Sequence, residues 1–105
     1  MRKSRNLERT FIVNGKMVTV VSISGLAKIV GKSRNTLLRY ERTGVFPPAI
    51  FMLNGYRYYP KAMAKKLVDV VTRLPLNTKP PADMQVEINK IFAEERSKYA
   101  KPKEN

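Results

Sequence analysis

The stretch "SISGLAKIVGKSRNTLLRYERTG", residues 22–44, places two helical segments on either side of one glycine. Ser22 fits an N-cap, and the apolar residues after it repeat at helical spacing up to Gly31, which can take the left-handed conformation that ends a helix. Ser33 is a second N-cap two residues later, so a second helix over residues 34 to about 43 must start almost at once. Two helices joined this tightly cross at a steep angle.

Two Asn-Gly pairs predict two β-hairpins, one on each side of the helix pair. Strand-like runs flank Asn14-Gly15 in "TFIVNGKMVTV" and Asn54-Gly55 in "IFMLNGYRYY". Asn-Gly is the pair that best tolerates the positive φ angles of a two-residue turn. We therefore predict an N-terminal hairpin over residues 10–21 and a second hairpin over residues 50–59. The first either covers the core, which we favour, or offers an exposed edge for oligomerisation.

Prolines delimit the rest of the chain. Pro47 and Pro48 make a connector after the second helix, and Pro60 suits the first turn of a third helix that runs to residue 74. A fourth, amphipathic helix is predicted over residues 82–100, and its apolar stripe fails at Glu95 and Lys98. That interruption argues against a long coiled coil.

These segments predict a basic flexible arm over residues 1–9 and a domain over residues 10–76. Residues 77–105 are expected to hold the last helix and a disordered tail. A chain of 105 residues is ordinarily a single domain.

Charge is the strongest global signal. Lys and Arg number 21 against 8 Asp and Glu, which leaves a formal net charge of +13. Most of the excess lies in residues 1–60, where Glu8 and Glu41 are the acidic residues. A positive field of this size attracts polyanions, so nucleic acid is the first expected partner.

Several function classes are disfavoured by composition. The chain has no cysteine and no histidine, which excludes thiolate nucleophiles, imidazole bases and Cys/His zinc sites. The carboxylates form no paired motif, so we expect no enzyme, no metal and no cofactor. No apolar run approaches the roughly 18 residues of a membrane-spanning helix, and the first residues lack the apolar stretch of a secretory signal. We therefore expect a cytoplasmic protein without a membrane partner.

The second helix separates apolar from basic residues. Leu37 and either Leu38 or Tyr40 are expected to face the core, and polar residues are expected to project outward. The outward set is Arg34, Asn35, Thr36, Arg39 and Arg42. This arrangement resembles the helix-turn-helix of DNA-binding proteins, with the second helix as recognition helix.

The segments "LAKIVGKSRNTLLRYERTGVFPP" and "NGYRYYP" extend the likeness. They resemble the winged-helix domain of the MerR family and of its small relatives, the phage excisionases and terminase small subunits. The resemblance implies a winged helix-turn-helix with a wing hairpin. Together with the N-terminal β-hairpin, which is not part of the usual family pattern, and the C-terminal amphipathic helices, this predicts an α+β fold. Double-stranded DNA is the implied partner.

The resemblance also implies the contact residues. The recognition helix would enter the major groove, and the wing would lie on the backbone or minor groove. The implied DNA-binding residues are Ser33, Arg34, Asn35, Thr36, Arg39, Tyr40 and Arg42 on the helix, and Asn54, Tyr56 and Arg57 with Gly55 on the wing. MerR regulators carry Arg-Tyr-Tyr-Glu where this chain has Leu38-Arg39-Tyr40-Glu41, and no sensor domain is visible, so we expect no small-molecule inducer.

Several roles remain open within this interpretation. The chain is expected to be a transcription regulator or a phage or mobile-element DNA-binding factor, and a homodimer would have to use the C-terminal helix or the N-terminal hairpin. The alternatives are a protein-interaction module whose basic face binds an acidic host protein, and an architectural or packaging factor of excisionase or terminase type. RNA ranks below DNA, because the sequence contains neither an aromatic stacking sheet nor a glycine-rich clamp.

Overall fold

The computed structural model describes residues 8–75 and 79–99. The elements, in chain order, are β1 (Glu8–Val13), β2 (Lys16–Ser22), α1 (Ile23–Val30), α2 (Arg34–Arg42), β3 (Phe51–Leu53), β4 (Tyr56–Pro60), α3 (Lys61–Arg73) and α4 (Ala82–Tyr99). The strands form one antiparallel sheet in the order β1-β2-β4-β3. The predicted α+β class is confirmed, with a helix pair between two hairpins.

The helix pair is defined by its end residues. Ser22 Oγ accepts a hydrogen bond from the Gly25 N–H at 3.2 Å, which caps α1. Gly31 ends α1 with φ of 76°, and its N–H donates to the Ala27 carbonyl. Ser33 then caps α2, so three residues separate the two helices. This turn is too short for the helices to run antiparallel.

Both Asn-Gly hairpins are confirmed. Asn14 and Asn54 have φ angles of 53° and 54°, and the glycine after each has φ of 81°. The inner strands β2 and β4 are antiparallel, pairing Val21 with Tyr59. Because each of these strands follows its own turn, the two hairpin tips point to opposite ends of the sheet.

The sheet packs on both faces. Val21 and Tyr59 face the main core, which α1, α2, α3 and α4 complete around Leu26, Leu37 and Leu67. The opposite face carries a smaller cluster centred on Val18, Val20 and Tyr58. Strand β2 thus covers the core, as expected of the N-terminal hairpin, whereas β1 is an edge strand.

Helix α4 is part of this domain and not an appendage to it. Met84, Ile88 and Phe92 are buried in the main core, and the Phe92 ring centroid lies 5.3 Å from that of Phe46. The division into a domain ending at residue 76 and a separate C-terminal segment therefore does not describe the packing.

The buried face of α4 extends to Glu95, although the apolar stripe of the helix ends there as the sequence indicates. The Glu95 side chain is fully buried. Its Oε1 atom lies 3.5 Å from Lys98 Nζ and 3.9 Å from Lys66 Nζ, and Oε2 accepts a hydrogen bond from the Tyr99 hydroxyl at 3.4 Å. Two ammonium groups compensate the charge that burial would otherwise penalise.

The predicted N-terminal arm is too long by at least two residues. Glu8 and Arg9 are strand residues of β1, because Glu8 pairs with Val21 in the ladder and forms a 2.7 Å ion pair with Lys61. Residues 1–7, together with 76–78 and the predicted tail after residue 99, lie outside the described residues.

Replacing Phe92 by Ala tests whether α4 folds with the rest of the chain. Loss of a buried ring should lower the free energy of unfolding by about 3–5 kcal/mol. Val86→Ala, on the exposed face of the same helix, should change it by less than about 0.5 kcal/mol. Urea denaturation followed by circular dichroism measures both. Similar small losses for the two variants would show that α4 contributes little to the core.

Candidate nucleic-acid interface

Side chains at the N-terminal end of α2 cap the helix. Ser33 Oγ accepts a hydrogen bond from the Thr36 N–H at 3.1 Å and lies 2.9 Å from Thr36 Oγ1. These bonds satisfy one of the free amides of the first turn, which makes Ser33 the cap of the helix. Arg34 and Asn35 remain exposed beside the cap.

Leu37 and Tyr40 anchor the inner face of α2. Leu37 is fully buried, and the Tyr40 ring lies 5.2 Å from the Phe46 ring. Burial raises the pKa of the Tyr40 hydroxyl, and the neighbouring Arg39 charge opposes that rise.

Tyr40 is therefore corrected from a DNA-contact residue to a core residue. Its side chain is only 8% exposed, because Phe46 folds back beneath it after α2 ends. Leu38, the alternative core residue, is only partly buried.

The outer face of α2 is basic. Arg34, Asn35, Arg39 and Arg42 are exposed, and Thr36 is partly exposed. At about 100° per residue, Asn35, Arg39 and Arg42 lie within an arc of about 60°, opposite the buried side chains. The structure thus brings these three predicted residues together on one surface, with Arg34 at its border.

The arginines of α2 differ from the other arginines of the described chain in having no partners. Arg57 pairs with Glu41, Arg73 with Asp69 and Glu87, Arg96 binds the Pro48 carbonyl, and Arg9 lies over the Tyr58 ring. Within residues 8–75 and 79–99, the side chains of Arg34, Arg39 and Arg42 form no hydrogen bond, ion pair or ring contact. Their charge is available to an external anion.

Helix α4 holds the connector that follows α2. Gln85 Nε2 donates to the Val45 carbonyl at 2.8 Å, and Arg96 Nη2 donates to the Pro48 carbonyl at 2.7 Å. Between these two bonds, Phe46 packs on Phe92. The segment that follows α2 is thus held in place by α4, which carries none of the predicted contact residues.

The wing hairpin, β3 and β4, meets α2 through one ion pair. Arg57 Nε donates to Glu41 Oε1, and both side chains are partly buried. Asn54 and Tyr56 are exposed at the wing tip. Arg57, predicted as a DNA contact, has its charge compensated within the protein.

Sequence reasoning missed Glu41, Gln85 and Arg96 as residues that position the interface. Glu41 did carry a signal, because it is the acidic residue of the otherwise basic segment 22–60. Gln85 and Arg96 have no such signal in the sequence, since their partners are backbone carbonyls about 40 or more residues away.

A short helix pair, an outward basic recognition helix and a wing hairpin joined to it define a winged helix-turn-helix DNA-binding domain. Residues 21–70 match the family model described as "MerR HTH family regulatory protein". These residues therefore form a MerR-like helix-turn-helix domain, a class associated with DNA binding and transcription regulation. Comparison with curated proteins and with solved structures gave no significant match.

Two other kinds of site are not found in the described part of the chain. None of its helices is long and apolar enough to cross a membrane. Nor does any group of three or more Asp or Glu side chains there converge as a metal site would require.

Glu41→Gln tests whether the ion pair with Glu41 prevents Arg57 from contacting DNA. The released guanidinium should add about one phosphate contact, which would steepen the salt dependence of the binding constant by about one unit and tighten binding. Fluorescence anisotropy with a labelled duplex at several salt concentrations measures both. Glu87→Gln removes an equal charge from the Arg73 pair and is the matched control. Weaker binding by Glu41→Gln would mean that the pair serves DNA binding by holding the wing in place.

Proposed function

We propose that the chain is a transcription regulator, or a phage or mobile-element factor, that binds double-stranded DNA with α2 in the major groove and the wing on the backbone or minor groove. The observation that carries the proposal is the set of arginines on α2 that have no partner among the described residues: Arg39 and Arg42 opposite Leu37 and Tyr40, and Arg34 at the border of that face. Exposed arginines are ordinarily only hydrated. Here their concentration on one helix, while the other described arginines have partners, favours an external polyanion.

The exposed residues of α2 suit different parts of a duplex. Asn35 lies in the first turn, where a recognition helix meets base edges, and an amide can form two hydrogen bonds with adenine. Arg34 suits guanine in the same way, or a phosphate. Arg39 and Arg42, farther along the helix, are proposed to contact phosphates, which fix position without reading sequence.

Lys28 and Lys32 extend the positive surface beyond α2. Lys28 is exposed in the last turn of α1, and Lys32 lies in the turn between the helices. With about five phosphate contacts in all, the logarithm of the binding constant should fall with the logarithm of salt concentration at a slope of about −4 to −5.

A dimer, if two-fold operators are bound, is proposed to form through the N-terminal hairpin. Met84, Ile88 and Phe92 are already buried in the chain's own core, and Val86 is the large apolar residue that α4 leaves exposed. Strand β1 has a ladder partner on one side, so its other edge can accept a strand within the described fold. No inducer or catalytic role forms part of the proposal.

Arg39→Ala should weaken binding to all duplex sequences and flatten the salt slope by about one unit, because one phosphate contact is lost. Fluorescence anisotropy titrations on duplexes of two unrelated sequences measure the effect. Lys90→Ala removes one charge from an exposed position on α4 and should leave the slope unchanged. An unaltered slope for Arg39→Ala would remove Arg39 from the interface.

Asn35→Ala should change sequence preference more than total affinity. A lost pair of hydrogen bonds to one base corresponds to about 1–3 kcal/mol of discrimination at that base pair. Selection from a randomised duplex library, followed by sequencing, compares the preferences of the wild type and the variant. Identical preferences would exclude Asn35 from base recognition.

A further inference from the structure

The outer strand of the wing is held by few main-chain bonds. Strand β3 has three residues and lies at the edge of the sheet, so within the described fold it has a ladder partner on one side. A two-stranded hairpin is at best marginally stable by itself in water. The orientation of the wing relative to α2 therefore depends on side-chain contacts at its base.

Four aromatic rings meet at the base of the wing, on the sheet face opposite the main core. The centroid of the Phe51 ring lies 5.5 Å from that of Phe11 and 5.4 Å from that of Tyr99. The Phe11 ring also lies 5.2 Å from the ring of Tyr58, which is the ladder partner of Phe51. We call these four residues the four-ring cluster. Edge-to-face and tilted ring pairs at such distances are favourable beyond the area that they bury.

The rings of this cluster come from distant parts of the described chain. Phe11 belongs to the N-terminal hairpin, and Tyr99 is the last residue of α4. Strands β2 and β4 lie between β1 and β3, which would be about 14 Å apart in a flat sheet. Contact between Phe11 and Phe51 therefore requires the sheet to curl toward this face. Both the N-terminal hairpin and the end of α4 thus pack on the outer strand of the wing.

The wing is restrained on both of its faces. Arg57 and Tyr58 are successive residues of β4, so their side chains lie on opposite faces of the strand. On one face Arg57 pairs with Glu41 of α2, and on the other face Tyr58 and its ladder partner Phe51 belong to the four-ring cluster. A hairpin that is held on one face alone can pivot about that contact.

We propose that Phe11 and Tyr99 are positioning residues for DNA binding, which act by holding Phe51 and thereby fix the wing relative to α2. This inference rests on the proposed function and deepens it, because it identifies what orients the wing before DNA is bound. Without the two rings the wing would adopt several orientations, and the fraction in the binding orientation would fall. The apparent Kd rises in inverse proportion to that fraction.

The test uses matched variants in the full chain. Phe11→Ala and Tyr99→Ala each remove a ring that contacts Phe51. Val13→Ala is the control for the first, because Val13 packs on the same face of β1. Tyr99→Phe is the control for the second, because it keeps the ring and removes the hydroxyl that donates to Glu95. Urea denaturation of every variant defines conditions in which all of them are folded.

A spin label on the wing measures its motion in the absence of DNA. The chain has no cysteine, and Met52 is 59% exposed, so Met52→Cys provides one attachment site. Phe11→Ala and Tyr99→Ala should narrow the electron paramagnetic resonance lines of this label, because the wing moves over a wider range. The lines should keep their wild-type shape in Val13→Ala and Tyr99→Phe, and also in Phe11→Tyr, which retains the ring.

Affinity for duplex DNA measures the consequence of that motion. If the wing is in the binding orientation about one fifth of the time, Phe11→Ala should raise Kd about fivefold. The salt slope should stay unchanged, because no charged contact is lost. Tyr56→Ala removes a proposed wing contact, so in that background Phe11→Ala should raise Kd by a smaller factor. Fluorescence anisotropy at several salt concentrations measures all of these values.

The outcomes separate this inference from the proposed function. Unchanged line shapes in both Phe11→Ala and Tyr99→Ala would overturn the positioning role, as would equal effects of Val13→Ala or the same rise in Kd with and without Tyr56. Wild-type binding with the expected salt slope would leave the proposed function standing in each of these cases. If Phe11→Ala does not fold, the comparison of Tyr99→Ala with Tyr99→Phe decides. Failure of the wild type to bind duplex DNA would overturn both.

Discussion

The burial of Leu37 and Tyr40 is the constraint on which the interface depends. These side chains pack against the main core, and Tyr40 rests on Phe46, which in turn rests on Phe92 of α4. A nine-residue helix has little stability of its own in water. Its orientation is therefore a property of the aromatic packing beneath it, and the basic residues on its outer face are positioned by residues that never reach the surface.

The second organising feature is the distribution of compensated and uncompensated charge. A formal charge of +13 on 105 residues repels itself, and the fold limits that repulsion by pairing several basic residues of the sheet, α3 and α4, among them Arg9, Lys61, Arg73 and Arg96, with carboxylates, a carbonyl or a ring. Even the buried Glu95 contributes, since it lies beside Lys66 and Lys98. Among the described residues, the arginines of α2 are left out of this pairing, so their three positive charges stay uncompensated on one short helix.

The features that sequence could predict are those decided locally. Asn14 and Asn54 predict the two turns because few other residues adopt their positive φ angles. Ser22, Gly31 and Ser33 predict the helix ends because they form hydrogen bonds with residues three or four positions away. The features that sequence missed depend on distant partners. Phe46 decides that Tyr40 and not Leu38 is the more buried residue. Glu41, on another element, compensates the charge of Arg57. Lys66, on α3, compensates the charge of the buried Glu95. Periodicity within one helix contains no information about these contacts.

The opposed hairpins have a practical consequence. Because β2 and β4 are antiparallel at the centre of the sheet, the Asn14-Gly15 turn emerges from the end remote from the wing. A fluorophore or short epitope introduced at this turn would stand clear of a nucleic acid held by α2. Single-molecule fluorescence could then follow the labelled chain on DNA while the outer face of α2 remains unmodified.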